Sequence, residues 1–389
     1  MSVFNVFVLF SPAEDTFIYV PPIVIVMKPV FVNGVSRDAS ESSLVASIRD
    51  ALLKSSNNFS WLDKGDTVLL KPALNSPDPY PATTHPLSIE VTSRLLAEHG
   101  AKVVIGDQSG IEHVLHHPGG VIRGSSRSNY IRSGMGSKDD TRYVSFEDSG
   151  WDTGFYHYRS GNTPSWPYGF FISEWARKAD HIISLPRLST HSQAGATLGF
   201  KIMVGMLRED SRMEFHANGP YNNFIKKAAN GSTLSVNDDR SGTFFEKIVE
   251  ISDAIKDKLR LTMIAATQAQ TTFGPDRFGL RLGPVGLGRA HIMNPEPGLV
   301  FASADQVAAE AFALAVLRDL KQAVPFLPRM TERLLLYGNP NVRDLPTMPV
   351  RIHPYIRHAI RIGLGRMPEG IEYTGVPYAV QDRINAYLS

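Results

Sequence analysis

The sequence predicts an α/β protein, with a mostly parallel sheet flanked by helices and arranged as two packed lobes with a cleft between them. Three observations lead there. Short Val/Ile/Leu runs alternate with segments of helical period through the first hundred residues, and strand–helix–strand alternation implies right-handed parallel crossovers. Polar loops leave the ends of several such runs, where open α/β sheets hold ligands. Apolar residues make up 43% of the 389 and charged residues 20%, enough to build a large core.

The elements follow in order. Pro22 to Val32 is rich in Val and Ile and reads as a buried strand. Ser40 to Ser55 carries Leu44, Val45, Ile48, Leu52 and Leu53 at helical spacing, with Ser40 or Ser42 as cap. Thr67 to Lys71 is a second strand, and a proline-stiffened loop runs from Pro72 to Pro86. Leu87 to His99 is a helix closed by Gly100, and Lys102 to Asp107 a third strand. Residues 109–169 read as loops with short elements. Regularity returns with a helix over Phe170 to Lys178, a strand from His181 to Pro186 and a helix from Leu198 to Leu207. Residues 218–242 read as a polar excursion. Phe244 to Leu259 reads as a helix, Leu261 to Thr267 as a strand and Ala304 to Leu320 as an Ala-rich helix. The basic stretch after Arg351 is an amphipathic helix with Ile356, Ile360 and Ile362 inward. Residues 1–21 are taken as an N-terminal extension. Residues 22–389 form one unit, with lobes at 22–178 and 179–389.

Composition excludes several functions. Lys plus Arg is 40 and Asp plus Glu is 38, leaving a charge of +2. That balance argues against a nucleic-acid partner. There is no Cys, so an iron–sulfur cluster with Cys ligands, a thiolate zinc site and a Cys nucleophile are ruled out. No apolar run is long enough for a membrane span, and the start lacks the basic stretch of a secretory signal. The chain is therefore expected to be cytoplasmic. The apolar stretch Val3 to Val20 is suited to covering a partner subunit, which admits a homo-oligomer.

Three clusters can carry chemistry. The loop from Lys71 to Pro86 holds Lys71, Asn75, Thr84 and His85 and reads as an anion-binding loop or a rigid surface connection. Gly106-Asp107-Gln-Ser-Gly110 lets the backbone approach a ligand closely, with Asp107 able to orient a cation. Arg187, His191, Lys201, Arg208 and His216 follow a strand end. Lys201 lies in an apolar helix, where a lone ammonium is costly. Two imidazoles and this Lys suit proton transfer or metal ligation, with His191, His216 and Asp107 as metal candidates. A fourth group, His113, His116 and His117, has spacing that could suit a metal on one helix face, although solvated loop histidines are the stronger reading. The Gly-Pro loop at 283–288 and Asp305 as a helix cap complete the set.

In order, these pieces resemble one family, domain of unknown function 362. The similarity rests on Val68-Leu-Leu-Lys71-Pro, Thr83-Thr-His85-Pro and Gly106-Asp107-x-x-Gly110. It continues through Ala179-Asp180, Leu185-Pro-Arg-Leu-Ser-Thr-His191, Lys201 with Gly205, Gly283-Pro284 and Ser303 to Ala308. This chain departs from the family pattern at His85, Ser189, Ile202 and Glu310, and lacks the Cys-rich ferredoxin-type segment of many members. The spacing of His191, Lys201 and His216 is also similar to the His–Lys–His arrangement of the nickel-pincer lactate racemase. That resemblance implies His191 in proton transfer, Lys201 as an anchor and His216 as ligand or second base.

The expectation is an enzyme performing acid–base chemistry on a small anionic organic substrate: isomerisation, elimination or cyclisation. His191 would be the base and His216 the partner acid or metal ligand, with Lys201 and Lys71 stabilising negative charge. Asn75, Thr84, His85, Arg187 and Arg208 would bind the substrate. The residue set admits a divalent metal. The alternative is a non-catalytic binding protein for the same class of anion.

Overall fold

The computed structural model describes residues 28–216, 243–278, 280–282 and 285–389. The N-terminal extension and the 218–242 excursion lie outside the described residues, as does most of the start of the first predicted strand.

Eight strands form the central sheet: β1 (Val30–Val35), β2 (Thr67–Pro72), β3 (Lys102–Asp107), β4 (Tyr143–Ser145), β5 (His181–Leu185), β6 (Leu259–Ala266), β7 (Gly298–Ser303) and β8 (Ile371–Thr374). Their spatial order is β8-β1-β7-β6-β5-β2-β3-β4. Every neighbouring pair is parallel except those made by β7, which runs antiparallel to both β1 and β6. The sheet is shared by residues from both predicted lobes: β1 sits between β7 and β8.

Both faces of the inner strands β2, β5 and β7 are covered, which is why they are nearly unbroken apolar runs. Side chains still alternate. Val68, Leu70, Ile183, Leu185, Met263 and Ala265 pack on one face with helices Glu41–Ser56 and Pro86–Glu98. Leu69, Ile182, Ile264 and Phe301 pack on the other with helix Gln306–Gln322. That helix is capped as expected: Asp305 Oδ1 accepts from the N–H groups of Val307 (2.8 Å) and Ala308 (3.0 Å).

Several elements differ from the sequence reading. Phe170–Ser173 is a strand, followed by one helical turn at Trp175–Lys178. It pairs antiparallel with Phe155–Tyr158, a partner that local periodicity cannot reveal. The helix from Leu198 is a short α turn, Gly199–Ile202, continued by a 3₁₀ turn, Met203–Met206. The helix from Phe244 ends at Glu250, and Leu259 already belongs to β6. Strands β7 and β8 were not anticipated. In the helix Pro354–Arg361, Ile356 is buried but Ile360 is 41% exposed. His358 takes the inward position instead and pairs with Glu250 at 2.8 Å.

Chain order reverses beside β2. From β2 the chain moves outward to β3 and β4, whereas β5, β6 and β7 build in the other direction. Crevices at such reversals, outside the carboxyl ends of the strands, are where open α/β sheets place ligands.

Candidate functional site

A cavity of about 330 Å³ opens at that reversal. Its wall is built from the segments that leave β2 (Ala73, Leu74, Asn75), β3 (Asp107, Gln108, Glu112) and β5 (Arg187, His191). Lys201 and Gly205 come from the short helical turns, Asp276 from a later loop, and Leu335 and Leu336 from the region of the helix Phe326–Leu335.

Beneath this wall lies a buried ion pair. Lys71 Nζ is 2.7 Å from Asp107 Oδ1 and donates to the Pro72 carbonyl at 2.8 Å. The Asp107 carboxylate also accepts from the N–H groups of Leu74 (2.9 Å) and Gln108 (2.8 Å). Burial pushes Lys71 down and Asp107 up, and their mutual attraction opposes both shifts. Gly205 makes the arrangement fit: a Cβ there would stand 2.0 Å from Asp107 Oδ1 and 3.0 Å from Lys71 Nζ. The pair therefore ties the ends of β2 and β3 to the turn below Lys201. Asp107's oxygens are occupied by these donors, which leaves it poorly placed as a metal ligand.

Arg212 reinforces the same junction. Its guanidinium donates to the carbonyls of Leu207, Ser109, Gln108 and Gly205 at 2.6–3.0 Å. Glu310 holds the other end of the Lys201 turn, its Oε2 accepting from Phe200 N–H at 3.1 Å. Burial raises the Glu310 carboxyl to about 8.

Lys201 is buried in this turn and lines the cavity. Burial, with repulsion from Arg212 and Arg187, pushes its ammonium down to about 7. His191 ends a short strand, Ser189–His191, in a hairpin with Gly195–Thr197. The hairpin turn gives its Nδ1 two donors, the N–H groups of Gln193 (3.1 Å) and Ala194 (3.2 Å). Backbone N–H groups can only donate, so Nδ1 is an acceptor and the neutral ring carries its proton on Nε2. In this tautomer Nε2 carries a hydrogen that His191 can donate.

Arg187 is 1% exposed and lines the cavity. It donates to the carbonyls of Ala82 and Pro275. Its Nε is buried without a hydrogen-bond partner among the described residues. Burial lowers the guanidinium to about 10, so it stays charged.

The remaining sequence candidates divide. Asn75 reaches the cavity and donates to Asp276 Oδ1 at 2.5 Å. Thr84 lies behind the wall: its hydroxyl accepts from Ala73 N–H at 2.8 Å and donates to the Leu185 carbonyl, stapling β2 to β5. His85 caps the helix Pro86–Glu98, its Nδ1 accepting from Leu87 N–H at 3.2 Å, and burial lowers it to about 4. Arg208 points elsewhere, paired with Asp210 at 2.7 Å and stacked on Trp151 and Phe171. His216 ends the helix Glu209–His216, and its side chain lies outside the described residues. His113, His116 and His117 share no helix face: the last two lie in a small hairpin.

Two wall residues escaped the sequence reading, Glu112 and Asp276. The one local signal beside Asp276, the turn dipeptide Gly274-Pro275, is not used in that reading. Nothing local pairs Asp276 with Glu112 or His113, more than 160 residues earlier in the chain.

Residues 68–315 match the sequence model of the family described as domain of unknown function (DUF362), and that span is well over half of the chain. The chain belongs to this family. Among curated proteins it is 27% identical over 331 residues to the "Thylakoid-associated protein sll1697" of Synechocystis sp. (strain ATCC 27184 / PCC 6803 / Kazusa), covering 82% of each chain. No solved structure matches. No helix among the described residues is long and apolar enough to cross a membrane.

Proposed function

We propose that this member of the DUF362 family is an enzyme that performs acid–base chemistry on a small anionic organic substrate held in the cavity at the β2/β5 reversal. One observation carries the reading: Lys201, His191 and Arg187, all buried, line a single cavity at that reversal.

The roles follow from the chemistry of each group. Arg187 keeps its charge on the cavity wall, which attracts a carboxylate or phosphate on the substrate. Lys201, held near neutrality at physiological pH, takes a proton from a carbon made acidic by a neighbouring carbonyl or carboxylate. His191 donates its Nε2–H to the oxygen on which negative charge collects. Returning the proton at another position gives isomerisation, and losing a leaving group gives elimination. Lys71, Asp107, Arg212 and Glu310 are positioning residues, since their polar groups hold the wall together.

A panel of 2-hydroxy and 2-oxo carboxylates in D₂O tests the proposal by NMR. The expected result is carbon-bound hydrogen exchanging for deuterium in at least one member, with exchange lost in Lys201→Met while binding persists. Binding without exchange would favour the alternative, a non-catalytic receptor for such anions. No binding and no exchange would overturn both. The proposed location is the cytoplasm. The relative's thylakoid association gives fractionation of cell membranes as the direct check.

A further inference from the structure

We propose that Glu112, His113 and Asp276 bind one divalent cation on the cavity wall, and that the anionic substrate bridges this ion and Arg187. The second half rests on the reading of the cavity given above; the first half does not.

The argument begins with convergence. Glu112 and His113 leave the loop beyond β3, and Asp276 follows the Gly274-Pro275 turn. The fold brings one ligand atom from each within 4.8 Å of the other two. Metal–ligand bonds of about 2.1 Å set adjacent ligands about 3 Å apart and opposite ones about 4.2 Å apart, so the three atoms can share one ion with small side-chain rotations. His113 Nε2 already meets Asp276 Oδ2 at 2.5 Å, and a cation would take the place of the proton between them. Asn75 holds the other Asp276 oxygen, fixing the orientation of the carboxylate as an outer hydrogen-bond partner does in metal sites.

The identity of the ion follows from the donors. Two carboxylates and one imidazole, without thiolate, suit Mn²⁺, Co²⁺ or Zn²⁺ rather than a soft ion. Three protein ligands leave coordination positions open, as in catalytic rather than structural sites.

An independent observation points to a ligand beside this group. Arg187 lies on the same cavity wall, near enough for Asp276 to act on its charge, with its buried Nε lacking a hydrogen-bond partner among the described residues. The cavity wall thus carries a lasting cation at Arg187 and carboxylates at Glu112 and Asp276. A lone anion would be repelled by the carboxylates. With a cation there, an anion with two neighbouring oxygens, such as a 2-hydroxy or 2-oxo carboxylate, satisfies both.

The full chain, stripped with EDTA, is titrated with Mn²⁺ and followed by loss of the free-ion paramagnetic resonance signal. The expected result is one equivalent bound, weakened at least tenfold in Glu112→Gln and in Asp276→Asn. With Co²⁺ the visible absorption band should be lost in His113→Ala. Glu112 is exposed, so its variant keeps the test valid should Asp276→Asn fail to fold. Failure of Mn²⁺, Co²⁺ and Zn²⁺ alike to bind, or affinities within twofold of native in both carboxylate variants, would overturn the metal site. Oxalate then separates the two halves. A change in the bound Mn²⁺ signal on adding oxalate, diminished in Arg187→Lys, supports bridging. Metal binding with no oxalate response and no oxalate uptake by calorimetry keeps the ion and overturns the bridge together with the anion reading. Oxalate binding equally well without metal keeps the anion reading and overturns the bridge.

Discussion

Replacing Lys201 by Met should make the protein more stable at neutral pH and flatten its stability against pH. Met fills nearly the same space without a charge, so the variant removes the titrating ammonium with little change in volume. In the folded chain that ammonium falls from its ordinary 10.5 to about 7. A tenfold change in proton affinity is worth about 1.4 kcal/mol, so burial withholds about 4 kcal/mol at pH 7. The sign is fixed by linkage. The unfolded chain binds this proton more tightly, so stability rises with pH from about 7 toward 10.5. Between pH 7 and 9.5 the native chain should therefore gain about 3 kcal/mol that Lys201→Met does not gain. Urea unfolding of both proteins at half-unit pH steps measures the difference directly, because other titrating groups are common to the pair. Parallel curves would refute the reasoning, since they would mean that the Lys201 ammonium reaches solvent or a counter-charge.

Other perturbations read the supporting framework. Asp107→Asn strands the Lys71 ammonium and should cost about 3–5 kcal/mol in chemical unfolding, most of it recovered in Lys71→Met/Asp107→Asn. Glu310→Gln keeps an oxygen for the Phe200 N–H but removes a carboxyl held near 8. The folded native chain holds that proton more tightly than the unfolded one, so native stability falls between about pH 4.5 and 8. The variant should gain relative to native across that range, by about 5 kcal/mol at pH 8.5. His85→Asn retains a capping acceptor and should leave melting temperature and anion binding unchanged, whereas His85→Ala should lose about 1 kcal/mol in stability with binding intact. A loss of binding in either variant would return His85 to the cavity wall.

Much of the fold was legible because local pattern and tertiary role agree. Thr67–Pro72 and His181–Leu185 are buried on both faces, so their apolar runs announce them. Asp305 caps its helix through neighbours two and three residues away, a relation the sequence contains in full. Phe170–Ser173 reads as helix in sequence because its strand character comes from pairing with Phe155–Tyr158, and strand β7 goes unassigned because a short apolar run has no period of its own.

The site divides along the same line. Sequence alone determined that Lys201 is an ammonium in an apolar helix, that Arg187, His191 and Asn75 follow strand ends, and that without Cys any metal must use imidazole or oxygen. Burial cost is a property of residue type and local context, so these signals survive in one dimension. Tertiary structure decided what each group does. It committed Asp107 and Thr84 to hydrogen bonds behind the wall and His85 to a helix cap, and set the His191 tautomer with two backbone donors. It also brought Asp276 to His113 across more than 160 residues. Those outcomes depend on distances between strand ends in a sheet whose order departs from chain order, and no local pattern encodes such distances.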